Sequence, residues 1–248
     1  MSDVMQGISE DVQFNHEHAD ALITACNDAA DTVENQTASR SSWLSHGLED
    51  FSGYYAQLFQ QNGSVQASDA SLLVTRLREV VKAVQDLKAS AKAEQERRQT
   101  ARDWKKRQED RGWWDHVTDW FTGGEAPPMG PPDPAPTFSV TPVTPPERQP
   151  LTGSGHTGTS SARPANLRSF ATNSSGGNDE LRPKATTAST AYSNFTGSCK
   201  WGSLSASGVF TGFDSYIAAN DNDVSWANVV AGAFEAAGGD GVVTVANA

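Results

Sequence analysis

Apolar and small residues recur along this chain at alternating spacings of three and four, the period of one face of an α-helix. The first stripe is Ala19, Leu22, Cys26, Ala29 and Val33, with Asp20, Asp28, Asp31 and Glu34 on the opposite side. A small polar stretch, Ser39 to Ser42, interrupts it. Leu44, Leu48, Phe51, Tyr55 and Leu58 then predict a second helix or a bent continuation of the first. Asn62-Gly63-Ser64 has the composition of a helix C-cap, and Ser68 or Asp69 offers the next N-cap. From there Leu73, Leu77, Val80, Val84, Leu87 and Ala91 make the longest stripe, with the a/d character of a helix lying along an antiparallel neighbour. Glu94, Arg98, Ala101 and Lys105 continue the phase, and no Gly or Pro intervenes before Gly112. The helix is expected to run on into solvent as a charged arm.

Gly112 ends that arm. Trp113, Trp114, Val117, Trp120 and Phe121 fall on one side of a two-turn helix closed by Gly123-Gly124. This aromatic segment reads either as a staple onto the chain's own bundle or as a docking surface, and Trp104 precedes it on the arm. Aromatic side chains dominate interface hot spots, so Trp104, Trp113, Trp114, Trp120 and Phe121 are the candidate partner-binding residues.

Eleven of the twelve prolines lie between Pro127 and Pro164, in a stretch poor in large apolar residues. Such a segment buries too little to offset the entropy of ordering it, and it reads as a disordered linker over residues 126–164. Beyond it, Leu181, Ala185, Ala188, Tyr192, Phe195 and Cys199 form another stripe, with Pro183 either at its first turn or at a kink. Gly176-Gly177-Asn178 weakens continuity with Leu167 and Phe170 upstream. Trp201-Gly202 marks a turn. Ala206, Phe210, Phe213 and Ile217 return from it, Asn220 to Asp223 reads as a second turn, and Trp226, Val230, Ala233 and Phe234 make the last helix. The expected architecture is all-α. A long antiparallel helical hairpin or bundle (1–125) is followed by a Pro-rich linker (126–164) and a smaller helical hairpin module (165–248).

Charge refines this picture. Residues 1–75 carry eleven acids against the single base Arg40, residues 76–111 twelve bases against seven acids, and the remainder six bases against twelve acids. Acidic and basic blocks within one chain of net charge -11 complement each other, which argues against nucleic acid as a partner. Cys26 and Cys199, the only cysteines, both sit on apolar helical positions. They read as buried thiols, with an inter-module disulfide as the alternative. MSDVMQGISEDVQFN is not a Sec leader, and no apolar run approaches the roughly 18 residues of a membrane span.

No catalytic constellation emerges. His16-Glu17-His18 lacks the four-residue histidine spacing of a zinc helix, and there is no GxSxG, phosphate loop or calcium loop. The expectation is a protein without enzymatic activity, cofactor or metal.

Two helical hairpins, one with Trp43 near the start of an amphipathic helix and one with Trp201-Gly202 at its turn, resemble the WXG-type ESX family exported by type VII secretion systems. DWKKRQEDRGWWDHVTDWFTGGEAPP, LRSFATNSSGGNDELRPKA and SCKWGSL are similar to the amino-terminal region of actinobacterial polymorphic toxins. The resemblance spans about Val12 to Gly241. It implies a secretion-targeting and delivery module, cytoplasmic before export and then secreted without a cleaved signal peptide. It also implies a small helical WXG/ESX-type partner or chaperone, the type VII machinery, a toxin domain and an immunity protein. The chain would then be a toxin-less relative, a shortened chain or one half of a split system. The family's Tyr-x-x-x-Asp/Glu export signal is not matched, because Leu58, Phe59, Thr196 and Asn220 stand four residues after Tyr54, Tyr55, Tyr192 and Tyr216. Either the signal lies on the partner or the chain does not follow this route. The alternative from another class is a structural scaffold, a cell-surface or phage-associated helical spacer.

Overall fold

The computed structural model describes residues 5–110, 129–145, 148–149, 158–238 and 241–246. Four helices dominate them: α1 (His16–Leu48), α2 (Tyr54–Glu109), α3 (Pro164–Ser198) and α4 (Ser207–Gly238). Four strands of three or four residues accompany these helices: β1 (Thr137–Ser139), β2 (Thr159–Ala162), β3 (Ser203–Ser205) and β4 (Val243–Ala246). No described helix is long and apolar enough to cross a membrane.

Side-chain pairs fix the helix directions. Arg78 bonds Asp31 and Lys88 bonds Asp20, so residue numbers rise along α2 as they fall along α1. Arg168 meets Glu235 and Arg182 meets Asp221, which makes α3 and α4 antiparallel in the same way. The two hairpins then pack on each other. Lys184 reaches Asp28, Arg40 reaches Asn178, and Phe14 meets the ring of Phe195, so α3 lies antiparallel to α1. Across the remaining side, the Phe59 ring of α2 stacks on Trp226 of α4 at 5.4 Å. The exposed ion pairs set register more than stability, since each contributes about 0–1 kcal/mol.

The apolar stripes point inward as their spacing requires. Leu22, Leu73, Leu77, Val80, Val84 and Leu87 are completely buried, and they share one core with Leu181, Phe195, Phe210 and Phe213. A second, more aromatic cluster fills the other end of the bundle, around Phe51, Phe59, Phe170, Trp226 and Phe234. Burial of each such side chain contributes roughly 1.5–3 kcal/mol. Both clusters draw residues from both hairpins, so the two helical modules pack together as one four-helix body.

Three expected interruptions lie inside continuous helices. Ser39 to Ser42 falls in α1, Asn62-Gly63-Ser64 in α2, and Asn220 to Asp223 in α4. Gly176-Gly177 and Pro183 likewise fall within α3, which starts at Pro164 and ends at Ser198. Tertiary packing overrides the local signal at Gly63, where a Cβ would stand 2.2 Å from Leu44 Cδ2. The glycine is there for close helix approach. The actual α1–α2 turn spans 49–53, with Asp50 and Gly53 at positive φ (58° and 88°).

The expected solvated arm is also partly covered. Residues 6–12 lie along the far part of α2: Gln95 accepts from the Val12 amide, Arg97 donates to the Gln6 carbonyl and Arg98 to that of Glu10. Ala101 is fully buried, and the carboxylate of Glu94 is only 5% exposed between Arg97 and Arg98.

The described part of the proline-rich stretch, read from sequence as a disordered linker, is a strap laid along the bundle. At one end β1 pairs in parallel with β3, and Val140 donates to the Ser205 carbonyl. At the other end β2 pairs with β4 and bridges to Ser52. Between these anchors, Val140 and Val143 are buried and Pro142 and Val143 lie against two glycines of α4. A Cβ at Gly212 would stand 2.4 Å from the Val143 carbonyl oxygen, and one at Gly208 2.7 Å from Pro142 Cβ. Gly212→Val should therefore lower stability by about 1–3 kcal/mol through overpacking. It should also make residues 129–145 cleavable under limited proteolysis at concentrations that leave the wild-type strap intact.

Candidate functional site

The two apolar clusters are separated by a belt of buried polar side chains drawn from all four helices and the strap. Gln36 and Arg40 come from α1, Asn62, Gln66 and Asp69 from α2, Ser174 and Asn178 from α3, and Asn220 and Asp223 from α4; all are buried. They occupy positions in phase with the apolar stripes. Phe59, Asn62, Gln66, Asp69 and Leu73 step 3, 4, 3 and 4, as do Phe213, Tyr216, Asn220, Asp223 and Ala227. Unpaired burial is costly for such groups, and hydrogen bonds join most of them, while Ser174 Oγ has no hydrogen-bond partner among the described residues. The Gln66 amide donates to Asn220 Oδ1 at 3.2 Å, and Gln36 donates to the Gly177 carbonyl and to Glu180.

Arg148 of the strap enters this belt with its side chain 9% exposed. Its guanidinium donates to the Asn62 carbonyl and to Asn220 Oδ1, both at 3.0 Å. It stands 3.4 Å from each of Asp69 and Asp223. The neighbouring Gln149 completes the attachment, its amide donating to Asn62 Oδ1 at 2.8 Å. One strap cation thus lies between acids from α2 and α4. Burial pushes the Asp223 carboxyl up to about 6 against the pull of Arg148, and burial raises Asp69 as well.

Arg40 is the second cation of the belt. Its Nε and Nη2 donate to Gln36 Oε1, and Nη2 also donates to Asn178 Oδ1 at 2.8 Å. Its guanidinium carbon lies 5.8 Å from the Trp43 ring centre, a cation–π contact. Gly177 leaves room for both groups, since a Cβ there would stand 3.0 Å from Arg40 Nη2 and 3.2 Å from Trp43.

The residues expected to bind a partner are placed differently. Trp113, Trp114, Trp120 and Phe121 lie outside the described residues, as does the two-turn helix read there. Trp104 is half-buried in the last turns of α2. Trp201-Gly202 lies between α3 and β3. Gly202 has φ 78°, and a Cβ on it would stand 2.6 Å from Leu87 Cδ2 of α2. The Trp201 amide donates to the Gln13 carbonyl, and the Ser203 amide to that of Pro136. This turn therefore joins the amino-terminal segment, α2 and the strap. Cys26 is buried and Cys199 half-buried, both as free thiols. Among the described residues, no group of three or more His, Cys, Asp or Glu is arranged to hold a metal ion.

The belt escaped sequence reading because its polar residues resemble helix breaks. Two signals pointed to it: the 3,4 phase carried through Asn62–Asp69 and Tyr216–Asp223, and Arg40 as the lone base in an acidic half. No family model matches the chain, and no similar curated protein or solved structure was found.

Asp223 has a higher pKa folded than its usual value near 3.9 when unfolded. Between about pH 4 and 6 the folded protein therefore binds the extra proton, and this group makes stability rise as pH falls, by up to about 1.4 kcal/mol per unit. The slope should be visible in denaturant melts from pH 6.5 to 4.5 and reduced in Asp223→Asn. Asp69 contributes in the same direction. Asp11 and Glu94, held below their usual values by hydrogen bonds from Gln95 and Arg97, respectively, oppose it from the ordinary carboxylate range downward, where the unfolded chain takes up their protons before the folded protein does.

Proposed function

We propose that this chain is a non-enzymatic type VII secretion-targeting module that acts by helix docking, with its second hairpin occupying the place of a separate helical partner. The observation that supports this reading is the packing of two antiparallel hairpins face to face within one chain. Asp28 with Lys184, Arg40 with Asn178 and Phe14 with Phe195 join α1 to α3 along much of their length. In the WXG-type family that the sequence resembles, the face of a hairpin is completed by a small helical partner. Here α3 and α4 complete it.

That arrangement alters the partner expected from the resemblance. A small WXG/ESX-type protein has no uncovered hairpin face to occupy on the described bundle, so recognition is assigned to the far end of α2 and the tryptophan-rich segment after it. The partner there is the secretion machinery or a chaperone, with any toxin domain and immunity protein acting downstream. Trp104 marks where this surface begins.

The competing reading is a helical spacer, which the 56 residues of α2, about 84 Å at 1.5 Å per residue, would suit. Export separates the two. In a bacterium carrying a type VII system, the wild-type chain should reach the medium, and Trp114→Ala with Trp120→Ala should reduce the exported fraction at least ten-fold with an unchanged thermal midpoint. Unchanged export of that double variant, or no export of the wild type, would reject the targeting reading. The chain should also be monomeric alone in sedimentation, and it should not take up a small helical WXG-type protein through its α1–α2 face.

A further inference from the structure

We propose that the far part of α2 is a binding site for a short acidic peptide segment of a partner protein, and that residues 5–12 of this chain occupy it as a detachable stand-in. This inference is independent of the secretion reading. Gln95, Arg98 and Arg102 are spaced by three and four, which sets them on one face of α2. Arg98 donates to the Glu10 carbonyl at 3.0 Å, Arg102 to that of Ile8 at 3.3 Å, and the neighbouring Arg97 to that of Gln6 at 3.0 Å. Gln95 accepts from the Val12 amide at 2.7 Å. A row of helix side chains thus holds the main chain of a peptide.

Two features of the seated segment define what the row accepts. The Asp11 carboxylate takes charge-assisted and amide hydrogen bonds at once, from Arg102 Nη2 at 2.7 Å and from Gln95 Nε2 at 2.8 Å. Gly7 turns the chain with φ 75°, and a Cβ on it would stand 3.3 Å from Arg98 Nη2. A residue without a side chain is what brings the turn this close to the guanidinium. The remaining contacts are to carbonyls and one amide, which every sequence possesses. The site therefore reads a glycine turn followed four residues later by an acid.

The row keeps its shape without the segment, whereas the segment is loosely held. Glu94, its side chain 5% exposed, accepts from Arg97 at 2.7 Å and from Arg98 at 2.8 Å, so α2 itself orients both guanidinium groups. None of residues 5–12 is buried, and the Asp11 side chain is 72% exposed while bonded. Contacts this exposed contribute little each, and such segments open locally without unfolding the core. Firm attachment begins one residue further on. The Gln13 carbonyl accepts from the Lys200 and Trp201 amides, and Phe14 packs against the Phe195 ring. Residues 5–12 can therefore swing away about Gln13 and leave the bundle intact. Charge selects the replacement: residues 97–107 carry six bases and the single acid Asp103, against Glu10 and Asp11 on the segment. A second copy would bring its own net charge of -11 against another -11, which assigns the acidic segment to a different protein.

Fluorescence anisotropy with a labelled, end-blocked peptide of residues 5–12, MQGISEDV, tests this assignment on the full chain. Gly7→Val with Asp11→Ala in the chain unseats its own segment and leaves the row untouched. That double variant should bind the peptide at least ten-fold more tightly than the wild type does. Adding Arg102→Ala to it, or placing Asp11→Ala in the peptide, should weaken binding about ten-fold or more. In the wild-type chain, excess peptide should speed hydrogen exchange at the Val12 amide about ten-fold by displacing the segment; this measurement decides the matter if the double variant fails to fold. The assignment is overturned if the folded double variant does not bind the peptide, if it binds no better than the wild type, if neither Arg102→Ala nor the altered peptide weakens binding, or if Val12 exchange is unchanged by excess peptide. Dimerisation of the wild type that Arg102→Ala abolishes would also overturn it, by placing the segment of a second copy in the row.

Discussion

A buried cation brings in partners from every element around it, and Arg148 does this for the whole chain. It belongs to a stretch whose composition would otherwise leave it unanchored, and it is held between acids of α2 and α4 and the backbone of Asn62. Removing one partner of such a buried pair typically costs 3–5 kcal/mol, because the other charge stays behind without compensation. Gly208 and Gly212 make the attachment possible, since side chains there would hold the strap away from α4. The position of the strap thus depends on one guanidinium and two missing Cβ atoms, together with the strand pairings at its two ends.

The belt around Arg148 also explains why the bundle has one register. A helix stripe of leucines and alanines tolerates sliding by a turn, whereas polar groups that must meet at one level do not. Gln66 with Asn220, Gln36 with Gly177 and Arg40 with Asn178 lock α2 to α4 and α1 to α3 at the same height. The aromatic cluster on one side and the aliphatic core on the other then pack without competing alignments. The same belt contains Asp223, whose carboxyl burial pushes up to about 6, and Arg40, whose hydrogen bonds go to Gln36 and Asn178. Specificity of packing and pH dependence therefore come from the same layer.

The intramolecular pairing of the hairpins bears on the proposed targeting role. A hairpin that needs a separate partner is incomplete until it meets one, and its apolar face is a liability before then. With α3 and α4 in the same chain, that face is covered through a connection whose effective concentration replaces a second-order encounter. The proposed recognition surface is then the end of α2, where the amino-terminal segment is clamped by Arg97, Arg98 and Arg102. In that proposed role, recognition falls on a part of α2 distinct from the faces that pack the two hairpins together.

The sequence by itself determined the helical class, the inward faces of the four helices and the Trp201-Gly202 turn. Those features follow from local periodicity and from a glycine that must adopt positive φ, and both can be read residue by residue. It did not reveal that Asn62-Gly63-Ser64 and Asn220 to Asp223 continue their helices, because polar residues favour a turn unless partners elsewhere satisfy them. Those partners are distant in sequence, among them Gln66, 154 residues from Asn220, and Arg148 and Gln149 of the strap. Nor did composition reveal the strap, since the ordering of a proline-rich segment depends on a groove that exists only once α2 and α4 have packed. Tertiary structure decided these points through long-range satisfaction of buried polar groups and close approach at glycine, two quantities that have no local signature.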